Sequence, residues 1–170
     1  MKETIGLYWG RFNPPHKGHI TLIKKLLKKV DKLIIAIGSA QEKNTKRNPF
    51  SAEERRKMIQ AYLEEKKINP KKFKIIIVND GKTHNSSINN LLKKSGAFDI
   101  LFTDKKMLIK LISKKIKVSK TKRAGTVSST KIKEAIAKDS SWEKLTGRTV
   151  ARLIKKFNGI KRIKKAYGIK

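Results

Sequence analysis

The stretch from Gly10 to His19, which reads GRFNPPHKGH, constrains the fold of this chain more than any other segment. An apolar strand over residues 5–9 leads through this glycine- and proline-rich turn into an amphipathic helix. Glycine lets the backbone approach an anion, and the first N–H groups of a helix point at its positive end without intrahelical acceptors. His16 and His19 lie on one side of the first helical turn because they are three residues apart. The segment is therefore predicted to bind phosphate.

A His-x-x-His pair can also hold a metal or serve only as a structural pair. Zinc needs three or four protein ligands, yet the one other histidine is His84, no carboxylate lies in the same turn, and the chain has no cysteine. We therefore favour imidazole N–H groups that donate to phosphate oxygens, and we expect no metal site built from protein ligands.

Predicted strands and helices alternate along the chain. The strands are expected at residues 5–9, 33–38, 74–78, 98–102 and 116–118. One helix is expected to be capped by Ser51 and Glu54, and a short one is expected over 88–92 after a polar segment. The C-terminal region is expected to be helical from about residue 128. One of its helices should start at Thr149 and stop at Asn158–Gly159. This order predicts a doubly wound α/β fold with a parallel sheet, in one domain over residues 1–170. The ligand of such a fold binds beyond the carboxyl ends of the strands, at a switch point.

The charge of the chain indicates anionic partners. It has 44 Lys+Arg against 13 Asp+Glu, a formal net charge of +31. Such a field attracts nucleotides, phosphates and nucleic acid without sequence preference. The lysines are spread over nearly every predicted helix face, which is typical of a solvated surface, so attraction of nucleic acid is expected to be incidental.

Apolar runs are far shorter than the roughly 20 residues of a membrane helix, and we expect a soluble cytoplasmic protein with no membrane partner.

Several motifs together resemble a known family. The stretch from Gly10 to His19 is similar to the HxGH signature of the nucleotidylyltransferase superfamily. GSAQ at 38–41, RNPFSAEER at 47–55, FD at 98–99, SSTKIK at 128–133, Trp142 and NG at 158–159 follow in order. With this order and spacing the chain resembles archaeal-type nicotinamide-nucleotide adenylyltransferase over nearly its whole length. The resemblance implies a Rossmann-like nucleotidylyltransferase fold and transfer of the AMP part of ATP to nicotinamide mononucleotide, with NAD and pyrophosphate as products.

The resemblance also implies roles for individual residues. Catalysis would rest on His16, His19 and Arg11. The ATP side would comprise Gly10, Arg11, Phe12, His16, Gly18, His19, Ser129, Thr130 and Lys133. The acceptor side would comprise Gly38, Ser39, Arg47, Arg55 and Asp80. Mg²⁺ would be bound mainly through the ATP phosphates, and the protein would form a homo-oligomer. Judged without the resemblance, the two acceptor-side arginines are typical surface charges, Ser129–Thr130 a helix cap and Trp142 a core residue.

The chain departs from the family pattern at a few positions. Lys133 stands where the family usually has arginine, which keeps the charge without the bidentate guanidinium. After Asp80 the family carries a tryptophan that packs on the nicotinamide ring, whereas this chain has Ser86–Ser87–Ile88. The Ser-Gly-Asn of the family after the fourth strand is replaced by residues 103–105. Other phosphorylated acceptors such as flavin mononucleotide, phosphopantetheine or a sugar phosphate therefore stay open, as does a non-catalytic, basic RNA-binding protein on this fold.

Overall fold

The computed structural model describes residues 2–112, 116–122 and 125–169. Within these residues, five parallel strands form one sheet in the order β3-β2-β1-β4-β5. The strands are β1 Ile5–Gly10, β2 Lys32–Ile37, β3 Phe73–Ile77, β4 Ile100–Thr103 and β5 Lys117–Lys120. The helices are α1 Lys17–Leu26, α2 Ala52–Glu65, α3 His84–Ser95, α4 Lys106–Ile112, α5 Ser129–Ala137, α6 Arg148–Lys156 and α7 Gly159–Ala166. The predicted doubly wound α/β fold is confirmed.

Helices cover both faces of the sheet. Residues 33–37 of β2 are all buried, which explains why this strand is a continuous apolar run instead of an alternating one. On one face Leu33 and Ile35 pack with residues of α1, α2, α5, α6 and α7. On the other face Ile34 and Ala36 pack with residues of α3 and α4. The sheet is therefore the middle of three layers, and each β2 side chain belongs to one of two cores.

The strand order reverses at the centre of the sheet. β1 pairs with β2 on one side and with β4 on the other, so that Leu7 lies opposite both Ile34 and Leu101. The connections from β1 and from β4 leave toward opposite faces, which opens a crevice where these two strands end. That crevice lies beside Gly10 and Thr103, at the carboxyl ends predicted to hold the ligand.

Two predicted elements begin two or more residues from their predicted starts, whereas the other predicted strands and α6 begin within one residue of theirs. α3 begins at His84 instead of residue 88, because Thr83 and Ser86 form a reciprocal capping box that satisfies the first N–H groups of the helix. β4 begins at Ile100 instead of residue 98, because the backbone N–H of Ile5 is taken by the Asp99 carboxylate at 2.8 Å. In both cases a side chain forms a hydrogen bond with the backbone that periodicity does not register.

The C-terminal helices are joined to α2. α6 begins at Arg148, one residue before the predicted Thr149, and has no capping side chain of its own. Glu65 at the end of α2 supplies the cap, since its carboxylate accepts hydrogen bonds from the N–H (2.9 Å) and the hydroxyl of Thr149. The predicted stop after α6 is confirmed, because Asn158 takes a left-handed conformation before α7. Trp142 is buried in the core, as expected.

Candidate active site

A cavity of about 720 Å³ opens at the carboxyl ends of β1 and β4. Every residue that the sequence assigned to the ATP side lines it: Gly10, Arg11, Phe12, His16, Gly18, His19, Ser129, Thr130 and Lys133. Of the five acceptor-side residues only Arg47 is in the lining, whereas Gly38, Ser39, Arg55 and Asp80 lie behind the cavity wall. The structure thus brings the predicted phosphate-binding residues together from segments more than 100 residues apart.

The two histidines form a close pair of tilted rings at the start of α1. Their ring centroids are 3.7 Å apart, and His16 is the N-cap residue. Nδ1 of His16 accepts from the N–H of Gly18 at 3.1 Å, and Nδ1 of His19 accepts from the N–H of His16 at 3.2 Å. Because each Nδ1 is an acceptor, the hydrogen bonds assign the proton of each neutral ring to Nε2. Both neutral imidazoles therefore carry their proton on Nε2, as an N–H donor.

The turn before the histidines is held from both sides. Phe12 is buried with a φ of 53°, and its ring contacts Tyr8 and His19 at centroid distances of 5.5 and 4.8 Å. The buried amide of Asn13 donates to Phe50 O at 3.1 Å and accepts from the N–H of Phe50 at 3.2 Å. The turn is therefore fixed to the core before any ligand binds.

The N-terminus of α5 meets this turn. Ser128 caps the helix by accepting from the N–H of Lys131, and the Ser129 hydroxyl donates to the carbonyl of Pro14 at 2.8 Å. Thr130 follows in the first turn and lines the cavity. The positive ends of α1 and α5 thus border the same cavity, which is a favourable arrangement for a polyphosphate.

Five cations line the cavity: Arg11, Lys46, Arg47, Lys105 and Lys133. Burial, and then the charge of Arg47, lowers the pKa of Arg11. Burial, and then the charge of Arg11, lowers the pKa of Lys105 and brings that of Lys133 to about 8. Like charges this close repel one another, so a bound anion relieves the repulsion.

Lys133 also fixes the loop between β2 and α2. Its buried ammonium donates to Lys46 O at 3.0 Å and to Arg47 O at 2.8 Å. These two bonds place the Arg47 side chain at the cavity. A lysine is sufficient here because its partners are two separate carbonyls, for which the bidentate fork of arginine is not required.

Arg55 is fully buried beneath two loops of the site. Its Nη1 donates to the carbonyls of Arg11 and Gly38, both at 2.8 Å, and its Nη2 donates to Ser39 O at 3.0 Å. Burial lowers its pKa to about 10. The structure therefore gives Arg55 the position of a clamp that joins the turn after β1 to the loop after β2.

The loops after β2 and β3 are joined through Asp80. Its carboxylate accepts from the N–H of Ser39 at 3.2 Å and from the Ser39 hydroxyl at 2.6 Å. Its N–H donates to the Gln41 side chain at 3.0 Å. Farther along, the Ser87 hydroxyl accepts from the N–H of Gly81 at 2.9 Å, so this serine stabilises the turn before α3.

The comparisons with known proteins identify the family. The model of the cytidylyltransferase-like family matches residues 7–135. The nicotinamide-nucleotide adenylyltransferase of Thermococcus kodakarensis is 33% identical over 162 residues, which are 94% of this chain and 86% of that protein. The nicotinamide-nucleotide adenylyltransferase of Archaeoglobus fulgidus is 34% identical over 165 residues, which are 94% of this chain and 95% of that protein. The chain belongs to the nicotinamide-nucleotide adenylyltransferase family.

The fold of this chain is also found in a solved structure. A bifunctional NMN adenylyltransferase/ADP ribose pyrophosphatase from Francisella tularensis, complexed with AMP and a manganese ion, superposes with a TM-score of 0.79 at 21% identity. The superposition covers 97% of this chain and 52% of that chain, so the present protein spans about half the bifunctional one. The predicted family and its Rossmann-like fold are both confirmed.

The donor set of the cavity fits a metal ion that arrives with phosphates. Across residues 2–112, 116–122 and 125–169, no group of three or more His, Cys, Asp or Glu side chains could hold a metal ion. The lining instead carries five cations, which attract the phosphates that a divalent ion would accompany.

Across residues 2–112, 116–122 and 125–169, no helix is long and apolar enough to cross a membrane.

The lining residues that the sequence did not assign to the site include two that pair a cation with an aromatic ring each: Lys46 with Tyr167, and Lys105 with Trp9. The ammonium of Lys46 lies 4.4 Å from the ring centroid of Tyr167, and that of Lys105 lies 4.9 Å from the ring centroid of Trp9. Trp9 carried a local signal, since it is the last side chain before Gly10 at the end of a predicted strand, and Lys105 belongs to the segment that replaces the family's Ser-Gly-Asn. Lys46 and Tyr167 reach the cavity through tertiary contacts.

Proposed function

We infer that this adenylyltransferase family member joins the AMP part of ATP to nicotinamide mononucleotide and releases NAD and pyrophosphate. The observation that supports this inference is the convergence of two histidine donors, two helix N-termini and five cations on one cavity, in a chain about one-third identical over its length to nicotinamide-nucleotide adenylyltransferases. The reaction joins two anions, which is the chemistry that such a cavity favours.

The reaction requires positioning more than covalent participation by the protein. A phosphate oxygen of the mononucleotide attacks the α-phosphorus of ATP and forms a new O–P bond. The bond between the α-phosphorus and the oxygen that bridges it to the β-phosphorus breaks. Charge builds on the leaving pyrophosphate. Arg11 and the Nε2–H groups of His16 and His19 would neutralise it, and Ser129 and Thr130 would hold the outer phosphates at the start of α5.

The acceptor phosphate would bind at the other cations. Arg47 lies at the cavity because Lys133 holds its backbone, and Lys105 borders the same space. Gly38, Ser39, Arg55 and Asp80 would act from behind the wall, because their hydrogen bonds determine where the loops after β2 and β3 run. Mg²⁺ would reach the site on the ATP phosphates and supply further charge neutralisation there. The homo-oligomer and the cytoplasmic location remain predictions from the family resemblance.

The test is an acceptor panel. Purified protein is incubated with ATP, Mg²⁺ and one acceptor at a time: nicotinamide mononucleotide, flavin mononucleotide, phosphopantetheine or ribose 5-phosphate. Pyrophosphate release is followed for all four, and NAD is measured separately by enzymatic reduction. We expect kcat/KM for nicotinamide mononucleotide to exceed that of each other acceptor by at least about a hundredfold.

Two outcomes would overturn the inference. Faster release with another acceptor would assign the site to a different nucleotidyl transfer. No release with any acceptor, from protein with an intact circular dichroism spectrum, would favour the RNA-binding alternative. In that case RNA should bind at nanomolar concentration, whereas an incidental attraction would be weak, steeply dependent on salt, and unchanged by His19→Ala.

A further inference from the structure

Trp9 and Tyr8 divide the cavity between the two faces of the sheet. Successive side chains of a strand point to opposite faces. Tyr8 contacts Phe12 on the face covered by α1 and α2, close to the histidine pair. Trp9 packs on the other face, with residues of α3 and α4, and still lines the cavity. Trp9 therefore lies on the side of the cavity away from the phosphate-binding turn.

The indole of Trp9 is held against the backbone of the loop after β2. A Cβ atom at position 38 would lie 2.5 Å from its Nε1, so only glycine lets the ring lie this close. The carbonyl of Gly38 is held in turn by Arg55 at 2.8 Å. This packing gives the ring a defined orientation before a ligand arrives, which lowers the entropic cost of stacking on it.

A positive charge already lies over the indole. Nζ of Lys105 is 4.9 Å from the ring centroid, within the distance at which the ring quadrupole attracts a cation. Tryptophan is the strongest of the aromatic side chains in this interaction. The ammonium sits on a long, flexible side chain, whereas the indole is fixed by Gly38. A flat cationic ligand can therefore replace the ammonium on the same face.

We propose that the indole face of Trp9 binds the positively charged pyridinium ring of the acceptor mononucleotide, and that the ammonium of Lys105 moves off this face when the ring arrives. The proposal rests on the function inferred above, because the pyridinium ring is the part of nicotinamide mononucleotide that remains once its phosphate is at the cations. It makes Trp9 a specificity-determining residue that recognises an aromatic ring with a positive charge.

This recognition distinguishes two forms of one acceptor. Oxidised nicotinamide mononucleotide carries the charged pyridinium, and the reduced form has an uncharged dihydropyridine of nearly the same size. The two also have the same phosphate and ribose. A preference of the enzyme for the oxidised form therefore reports the charge that the indole face attracts.

The kinetic test compares Trp9→Leu with Trp9→Phe. We expect Trp9→Leu to raise KM for oxidised nicotinamide mononucleotide about tenfold, to leave KM for ATP within about twofold, and to reduce the preference for the oxidised form. Trp9→Phe keeps an aromatic face that attracts a cation less strongly than tryptophan does, so its KM for the oxidised acceptor should rise less than that of Trp9→Leu. An unchanged acceptor KM and an unchanged preference in Trp9→Leu would overturn the proposal while leaving the proposed function in place.

A binding test needs no turnover. The chain has two tryptophans, and Trp142 is buried in the core. Oxidised nicotinamide mononucleotide should quench the fluorescence of the wild type, and the quenched component should be missing in Trp9→Phe, where only Trp142 emits. Equal quenching in both proteins, or none in a wild type that makes NAD, would contradict the proposal. If the wild type makes no NAD with this acceptor, the proposed function fails instead, and quenching then reports whether the ring subsite exists.

Discussion

The hydroxyl of Ser129 donates a 2.8 Å hydrogen bond to the carbonyl oxygen of Pro14, although the two residues are 115 positions apart. This bond joins the N-terminus of α5 to the turn that carries the histidine pair. The two halves of the phosphate-binding surface are thereby held at a fixed separation. Preorganised donors of this kind stabilise charge in a transition state without reorganising at the moment of reaction.

Ser129→Ala removes that bond and one hydroxyl of the cavity. A neutral hydrogen bond contributes about 1 kcal/mol, so we expect kcat/KM for ATP to fall roughly fivefold to tenfold while KM for the acceptor stays within twofold. Steady-state kinetics with each substrate varied in turn measures both. Ser140→Ala, on an exposed hydroxyl far from the cavity, is the control and should have no effect. A Ser129→Ala enzyme with wild-type constants would show that the bond is dispensable.

Arg55→Lys tests the clamp between the loops. Lysine keeps the charge but cannot reach the carbonyls of Arg11, Gly38 and Ser39 together, so buried acceptors lose their donors. We expect the free energy of unfolding to fall by roughly 2 kcal/mol, measured by urea denaturation. The matched control is Arg56→Lys, whose exposed pair with Glu53 should contribute less than about 1 kcal/mol. Equal losses from the two variants would contradict the clamp.

Much of this architecture could be predicted from the sequence, because it follows from patterns among residues that are close together in the chain. The apolar run of β2, the Ser51–Glu54 capping box and the turn from β1 into α1 each depend on neighbours along the chain, and the structure confirms each of these three local predictions. The position of Arg55 could not be predicted in this way. Its motif marked it as functional, but three of its carbonyl partners lie 16 to 44 residues away, and only the tertiary fold brings them within reach.

The errors come from side-chain contacts, some local and some distant, that apolar periodicity does not register. α3 starts earlier than its apolar residues indicate because Thr83 and Ser86 cap it, and α6 is capped by Glu65 from a different helix. The sequence identified Trp9 only as a strand residue. The two residues that contact its indole ring, Gly38 and Lys105, are both distant from it in sequence. Patterns of hydrophobicity locate elements well, but they contain no information on side chains that bond to distant backbone.

The binding of ATP should weaken above neutral pH because of Lys133. Burial brings the pKa of this lysine to about 8, below its ordinary value of 10.5, so its charge is lost as the pH rises through about 8. We expect KM for ATP to rise about fivefold to tenfold between pH 7 and pH 9.5, as one charge-assisted contact disappears. Lys133→Arg stays charged over this range and should abolish the rise. A rise that persists in Lys133→Arg would assign the titration to another group.

The cap on α6 predicts a pH-dependent stability. Burial by itself would raise the pKa of Glu65, but the hydrogen bonds from Lys66 and Thr149 outweigh it and bring the pKa to about 2. The unfolded chain therefore binds more protons between about pH 4.5 and pH 2, and the stabilisation is present above this window and lost as the pH falls through it. Glu65→Gln should lower the free energy of unfolding by about 1 kcal/mol at pH 7. Denaturation from pH 7 to pH 2 measures the difference.

The difference between the wild type and Glu65→Gln should shrink toward zero near pH 2. Glu64→Gln, at the neighbouring position with an exposed partner in Gln60, serves as the control and should change stability by less than about 0.5 kcal/mol at any pH. A pH-independent difference for Glu65→Gln would mean that the ionised carboxylate is not what caps the helix.

The histidine pair should affect the rate more than the binding of the acceptor. His19 donates toward charge that grows on the leaving pyrophosphate, so His19→Ala is expected to lower kcat by at least about a hundredfold. KM for nicotinamide mononucleotide should change by less than about threefold. His84→Ala, on the third histidine of the chain and outside the cavity lining, is the control and should leave both constants unchanged. A His19→Ala enzyme with near-normal kcat would remove the pair from the chemistry.

The most direct measurement of the central claim follows the α-phosphorus of ATP. With ATP labelled at that position, nicotinamide mononucleotide and Mg²⁺, all transferred label should appear in NAD and none in pyrophosphate, one NAD forming for each pyrophosphate released. Label in pyrophosphate, release of pyrophosphate without NAD, or label confined to AMP would contradict adenylyl transfer to this acceptor.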